Sequence, residues 1–160
     1  MTDTIIRAAE PADVTAILGL IHELARFEHA EDQVKATEAD LLRDGFGKKP
    51  VFEALVAERD ETVVGFALYF PNYSTWEGRA GLYLEDLYVQ DDERKSGLGR
   101  RLLAAVAARC LQLDGRRVDL QVLDWNPARR FYAKIGLIHQ TEWLPYRLSG
   151  DALKSLASEG

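Results

Sequence analysis

Glu85 and Asp86 are two carboxylates set inside an otherwise apolar run, Leu82 to Val89, which leads into Arg94-Lys95-Ser96-Gly97-Leu98-Gly99. Glycines at 97 and 99 let backbone N–H groups approach an oxygen-rich ligand, and a helix starting near Gly97 adds its positive end. A strand feeding such a turn is a means of holding phosphate. A carboxylate on an apolar strand face is costly unless partnered, and desolvation raises its proton affinity toward values useful to a general base. Alternation puts Glu85 on the same face as Leu87 and Val89, which makes it the expected proton acceptor. On residue pattern alone, a solvent-facing strand edge and a solvated basic helix start stay open as readings. Phosphate holder and acid/base group on one short element point to an enzyme with a phosphorylated cofactor.

Other chemistries find no support. The turn lacks the third glycine of a dinucleotide fingerprint, since Leu102 stands there, and Gly47-Lys48-Lys49 lacks the upstream glycine of a P-loop. No G-x-S-x-G elbow occurs. His22, His29 and His139 have no metal-ligand spacing with the lone Cys110, so no metal site is expected.

The elements that must position these residues follow from periodicity. A short strand is expected over Thr4 to Ala8. A helix follows from Pro11 to Phe27, its apolar stripe formed by Val14, Ile17, Leu18, Ile21 and Leu24. Thr37 and Asp40 form a capping-box pattern opening a short helix through Leu42, closed by Gly45-Phe46-Gly47. Val51 to Glu58 and Thr62 to Phe70 read as a hairpin joined by Arg59-Asp60-Glu61, and Pro71 to Gly78 as a loop bearing Tyr73 and Trp76. A third strand spans Gly81 to Val89. The helix beyond the glycine turn buries Leu98, Leu102, Ala105, Val106, Cys110 and Leu113, and Arg117 to Leu123 is a further strand. Asn126-Pro127 opens a helix with Ala128, Phe131, Tyr132 and Ile135 on one stripe, closed by Gly136. Ile138 to Trp143 and Tyr146 to Leu148 read as terminal strands, and Asp151 to Ala157 as a last helix. No repeat, low-complexity tract or linker interrupts the chain, so one mixed α and β domain over residues 1–160 is expected.

With 47% apolar and 29% charged residues, the composition is that of a globular protein with a sizeable core. The net charge of −6 disfavours nucleic acid as a partner and suits a cationic one. Against that background Arg94, Lys95, Arg100 and Arg101 form a local basic island. No apolar run approaches bilayer length and no basic-then-apolar leader is evident, so no membrane partner is expected. The single cysteine fits a reducing compartment, and the cytoplasm is the expected location.

The R-x-x-G-x-G run at 94–99, between strand and long helix, resembles the acetyl-CoA pyrophosphate loop of the GNAT superfamily of N-acetyltransferases. NPARRFYAKIG, from Asn126 to Gly136, resembles that superfamily's second signature. IHELARFEHAEDQVKATEADLLRDGFG (Ile21 to Gly47), YLED at 83–86 and DWN at 124–126 look like the diamine and polyamine (spermidine/spermine, thialysine) N-acetyltransferase branch. The resemblance runs from Ile6 to about Leu148. It implies the GNAT fold, a mostly antiparallel twisted sheet flanked by helices, with acetyl-CoA as co-substrate and a homodimer whose amine site draws on the second subunit.

The same resemblance assigns roles. Leu87, Tyr88 and Val89 would meet the acetyl-pantetheine arm, and Arg94, Lys95, Ser96, Gly97, Leu98, Gly99 and Arg100 would hold the pyrophosphate. Asn126 would also contact the cofactor. Tyr132 would be the acid near the sulfur, and Glu85 the base or water-positioning residue. Phe27, Glu28, Trp76, Glu85 and Asp86 would hold the amine. Two departures stand out. The spacing from Asn126 to Tyr132 is one residue shorter than usual, and the acid found before the loop tryptophan in polyamine enzymes is replaced by Ser74 and Thr75, which Glu142 would partly offset. The expected reaction is direct attack of a small primary amine on the thioester. Acetylation of a protein N-terminus or lysine side chain and a non-catalytic acyl-CoA-binding module are the competing readings.

Overall fold

The computed structural model describes residues 3–160. The chain forms a first compact unit that ends at Gln121 and a second over Val122–Gly160.

In the first unit the elements run β1 (Ile5–Ala8), α1 (Val14–Phe27), α2 (Glu38–Phe46), β2 (Glu53–Arg59), β3 (Thr62–Ser74), β4 (Arg79–Val89), α3 (Leu98–Gln112) and β5 (Val118–Leu120). One five-stranded sheet has the order β1-β2-β3-β4-β5. Its first four strands pair antiparallel, and β5 lies parallel to β4. A parallel neighbour needs a crossover, and α3 supplies it. The expected mixed α and β class with a mostly antiparallel sheet is what forms.

Local chemistry explains the element ends. The Thr37 hydroxyl accepts from the Asp40 N–H at 3.2 Å while the Asp40 carboxylate accepts from the Thr37 N–H at 2.9 Å, the reciprocal cap expected for α2. The helix then runs past Leu42 to Phe46. Arg59 pairs with Thr62, so Asp60 and Glu61 form a two-residue hairpin loop, with φ of 50° and 60°. Positive φ at both centres is the turn that matches strand twist, here built without a glycine.

β3 continues as strand through Pro71 to Ser74, where a loop was expected. The reason is the sheet edge. β2 last meets β3 at the Glu53–Tyr69 pair, so from Phe70 onward β3 has β4 as its strand neighbour and Pro71 pairs with Leu82. Proline's missing N–H falls on the side where no ladder runs.

The two sheet faces pack on different helices. Ala54, Val56, Phe66, Leu68 and Tyr88 meet Val14, Ile17 and Leu20 of α1 and Leu41 of α2. On the other face lies α3, burying Leu98, Leu102, Leu103, Val106 and Cys110, while Leu113 is 43% exposed rather than buried. Gly65 lets β4 lie close: a Cβ there would sit 3.0 Å from the Tyr88 carbonyl oxygen and 3.2 Å from a Val89 methyl. Phe66, Leu98 and Leu102 are fully buried; truncating any one to alanine removes about 2–5 kcal/mol of stability.

The second unit contains α4 (Ala128–Ile135) and α5 (Gly150–Ala157). Gly136 closes α4 with φ of 110°, a conformation that favours glycine. The terminal strands expected at Ile138 to Trp143 and Tyr146 to Leu148 do not form. There the backbone closes on itself: Thr141 donates to the His139 carbonyl and Trp143 to the Gln140 carbonyl, both at 3.1 Å. Local turn bonds take up groups that a ladder would need, and Pro145 offers no donor. The strand expected over Arg117 to Leu123 is likewise shorter, Val118–Leu120.

Candidate active site

Of the residues singled out in the sequence, Glu85 to Val89 lie on β4, and Arg94 to Arg100 on the turn that follows it and the start of α3. Leu84 pairs with Tyr69 and Asp86 with Leu68, so Glu85 is the extra residue of a β-bulge. The bulge breaks the alternation assumed above. Leu87 and Val89 pair with Ala67 and Gly65, on the face that carries α3. Asp86 is directly opposite Leu68, and Tyr88 opposite Phe66, on the face covered by α1 and α2. Glu85, unpaired at the bulge, is exposed, whereas Asp86 is largely covered.

Burial has its full electrostatic effect on Asp86. Desolvation, with added repulsion from Glu85 and then Glu28, pushes its carboxyl up from the usual 3.8 to about 7. Glu28, half-buried at the C-cap of α1, is also pushed up, by desolvation. Three carboxylates thus crowd one place, an arrangement suited to attracting a cation and taking a proton from it at neutral pH.

Phe27, the last residue of α1, joins this cluster to the basic turn. The Arg94 guanidinium lies 4.8 Å from the Phe27 ring centroid and 5.4 Å from that of Tyr88. Its Nε donates to the Val89 carbonyl at 3.2 Å and lies 3.0 Å from Asp91. The guanidinium is thus engaged with the end of α1 and of β4, while Lys95 and Arg100 are exposed. Arg101, counted in the basic island, donates to the Thr4 carbonyl at 2.7 Å.

Two features of β4 and its turn fit an acetyl-CoA molecule. The β4–β5 ladder covers only Leu82–Leu84, so among the described residues no strand flanks the Glu85 to Val89 edge of β4 opposite β3. Backbone groups along such an edge can bond an extended arm that carries amides. Beyond the 3-10 segment Asp91–Ser96, Gly97 adopts φ of 80° and opens α3. Arg101 donates to the Gly97 carbonyl at 3.1 Å; the N–H groups of Leu98, Gly99 and Arg100 precede the first intrahelical bond and point out of the helix start. With Lys95 and Arg100 beside them, they suit a pyrophosphate.

Trp76 is 88% exposed in the β3–β4 turn, after Ser74 and Thr75. Asn126 and Tyr132 stand in the second unit. The Asn126 side-chain oxygen accepts from the Ala128 N–H at 2.9 Å, so it starts α4. Tyr132 is half-buried on α4, its ring 5.3 Å from that of Phe131.

Pattern reading found the acids and the glycine turn but missed the bulge, whose one available signal was a pair of adjacent acids interrupting the alternation. It also missed the ion pair of Glu93 with Arg59, two residues far apart in the chain. No local spacing announces such a contact.

With fold and geometry defined, the likeness to known proteins is specific. Residues 17–137 match the Acetyltransferase (GNAT) family, and the chain belongs to it. It is 40% identical to a thialysine N-epsilon-acetyltransferase of Bos taurus, over 99% of this chain and 100% of that one. An L-ornithine N5-acetyltransferase of Arabidopsis thaliana is 31% identical, over 94% of this chain and 86% of that one. Among solved structures, an integron cassette protein from the mobile metagenome of V. cholerae superposes with a TM-score of 0.80 at 26% identity, covering 96% of this chain and 97% of that chain. The protein is an acetyltransferase of this family.

Proposed function

We propose that this enzyme transfers the acetyl group of acetyl-CoA to the primary amine of a small molecule: a diamine, a polyamine or a lysine-like amino acid. The observation that carries this reading is Asp86, largely covered beside Glu85 at the bulge and pushed up to about 7, next to the open edge of β4. An alkylammonium holds its proton until about pH 10 and must lose it before attacking a carbonyl. Glu85, exposed, is the carboxylate that an incoming ammonium meets. Asp86 is the one whose proton affinity matches neutral pH. Glu85 draws the ammonium in, and Asp86 beside it takes up the amine's proton.

When bound, acetyl-CoA supplies the thioester carbonyl that the amine attacks. Leu87 to Val89 would present backbone groups to its arm, and Lys95 to Arg100 with the N-terminus of α3 would hold its phosphates. Arg94 would steady this turn from its place over Phe27 and Tyr88. Phe27, Glu28 and Trp76 complete the amine's surroundings in this reading. Asn126 is assigned to the cofactor and Tyr132 to proton donation at the sulfur, both on the family pattern. Attack is direct: Cys110 is buried on α3, its thiol 3.4 Å from the Arg117 carbonyl, and offers no exposed nucleophile.

The relatives named for thialysine and ornithine act, by those names, on amino acids with a terminal amine on a short chain. Ser74 and Thr75, standing where an acid would precede Trp76, favour such a substrate over a long polycation. We take the whole chain as one acetyltransferase domain that works in the cytoplasm as a homodimer, the exposed Tyr73 and Trp76 being suited to an interface. Thiol release measured with thialysine, ornithine, putrescine, spermidine and lysine-containing peptides tests the reading. Turnover of small amines is expected; turnover of peptides alone would replace it with protein acetylation.

A further inference from the structure

The turn that carries the phosphate-binding glycines also carries acids, and one of them is out of place. Glu93 lies inside the Asp91–Ser96 turn, four residues before Gly97, and its side chain is only 14% exposed. A carboxylate there would repel a pyrophosphate held at the start of α3. Its Oε2 is buried and ion-paired with Arg59 Nη1. Arg59 ends β2, immediately before the Asp60-Glu61 turn, and its Nε donates to the Thr4 hydroxyl at 2.7 Å. The sheet brings the two residues together: Arg59 pairs with Thr62 at the start of β3, and Val89, at the end of β4, pairs with Gly65 of the same strand. Asp91 of the same turn is already matched by Arg94.

We infer that Arg59 is a positioning residue for the cofactor: it neutralises Glu93 and fixes the turn so that its N–H groups and cations can accept the pyrophosphate. The inference rests on the reading of this turn as the pyrophosphate holder. Arg59 itself touches no phosphate in this account; it acts through Glu93.

A double-mutant cycle read by calorimetric binding of CoA tests it. Arg59→Met leaves Glu93 as an uncompensated charge and is expected to weaken CoA about tenfold or more, raising KM for acetyl-CoA with kcat nearly unchanged. Glu93→Gln removes the charge and is expected to stay within about threefold of wild type, and the double variant to recover to about that level. A double variant as weak as Arg59→Met, or an Arg59→Met that binds CoA normally, overturns the inference. Should Arg59→Met not fold, Arg59→Lys decides. It keeps the charge but replaces the guanidinium that reaches Thr4, so CoA affinity within about threefold supports charge neutralisation. A loss of affinity as large as that expected of Arg59→Met means a merely structural clamp. Wild-type protein that binds no CoA would instead remove the pyrophosphate reading itself.

Discussion

Asp86 lies across from Leu68 in the β3–β4 ladder, one residue after the bulge that leaves Glu85 between two register pairs. Two adjacent acids thereby acquire different surroundings, Glu85 exposed and Asp86 largely covered near Glu28. Environment, not residue type, divides their roles, and the division can be measured.

The first consequence is in the pH dependence of catalysis. An Asp86 carboxyl pushed up to about 7 is protonated below that pH and able to accept a proton above it. The rate at saturating acetyl-CoA should rise with pH through about 7, apart from the amine's own titration near 10. In Asp86→Asn that lower limb should vanish and the rate should fall about 100-fold or more, the usual scale of a lost general base. Glu85→Gln should lower the rate and weaken ammonium capture. A pH profile unchanged in Asp86→Asn would take Asp86 out of proton transfer.

The same burial should be visible in stability, with a definite sign. The folded-state value for Asp86 lies above its ordinary 3.8, so the native protein binds the extra proton between about pH 4 and 7. Its contribution is present in full below that window and is lost as pH rises through it. Asp86→Asn removes the penalty of a largely desolvated charge, so it should stabilise the protein by up to about 4 kcal/mol at pH 8 and change little at pH 4. Thermal melts at the two pH values check this; equal effects at both would contradict it. A variant that gains stability while losing activity is the pattern expected of a site residue.

The Asp60-Glu61 turn makes a separate, purely structural prediction. Glu61 holds φ of 60° without the freedom of glycine. Glu61→Gly should stabilise the hairpin by about 1 kcal/mol, because the left-handed region costs an L-residue about that much. Chemical denaturation should show a higher midpoint with an unchanged slope, and a lower midpoint would refute the turn geometry.

Much of this was legible in the sequence where physics is local. The Thr37–Asp40 cap, the amphipathic stripe of α1 and the glycine turn ahead of α3 each follow from neighbours a few residues apart. The parts that escaped reading depend on strands meeting. Pro71 fits a strand only because β2 has ended beside it, and the Ile138 to Trp143 segment, expected as a strand, bonds its backbone in local turns instead. Glu85 lost its place in the alternation because the ladder slips by one residue between Leu68 and Tyr69, and a bulge is a property of two strands, not one. Arg59 and Glu93 are joined by the sheet alone.

The central claim is that the Glu85–Asp86 pair takes the proton from a small amine so that it can receive acetyl from acetyl-CoA. The direct measurement is thiol release with thialysine at saturating acetyl-CoA, with the product identified by mass, for wild type and for the Glu85→Gln, Asp86→Asn double variant. The wild type should yield one N-acetylated amine per thiol, and a double variant that still binds CoA should release thiol at least about 100-fold more slowly. A double variant that turns over at the wild-type rate, or a wild type that binds CoA yet releases no thiol with any small amine, would contradict it.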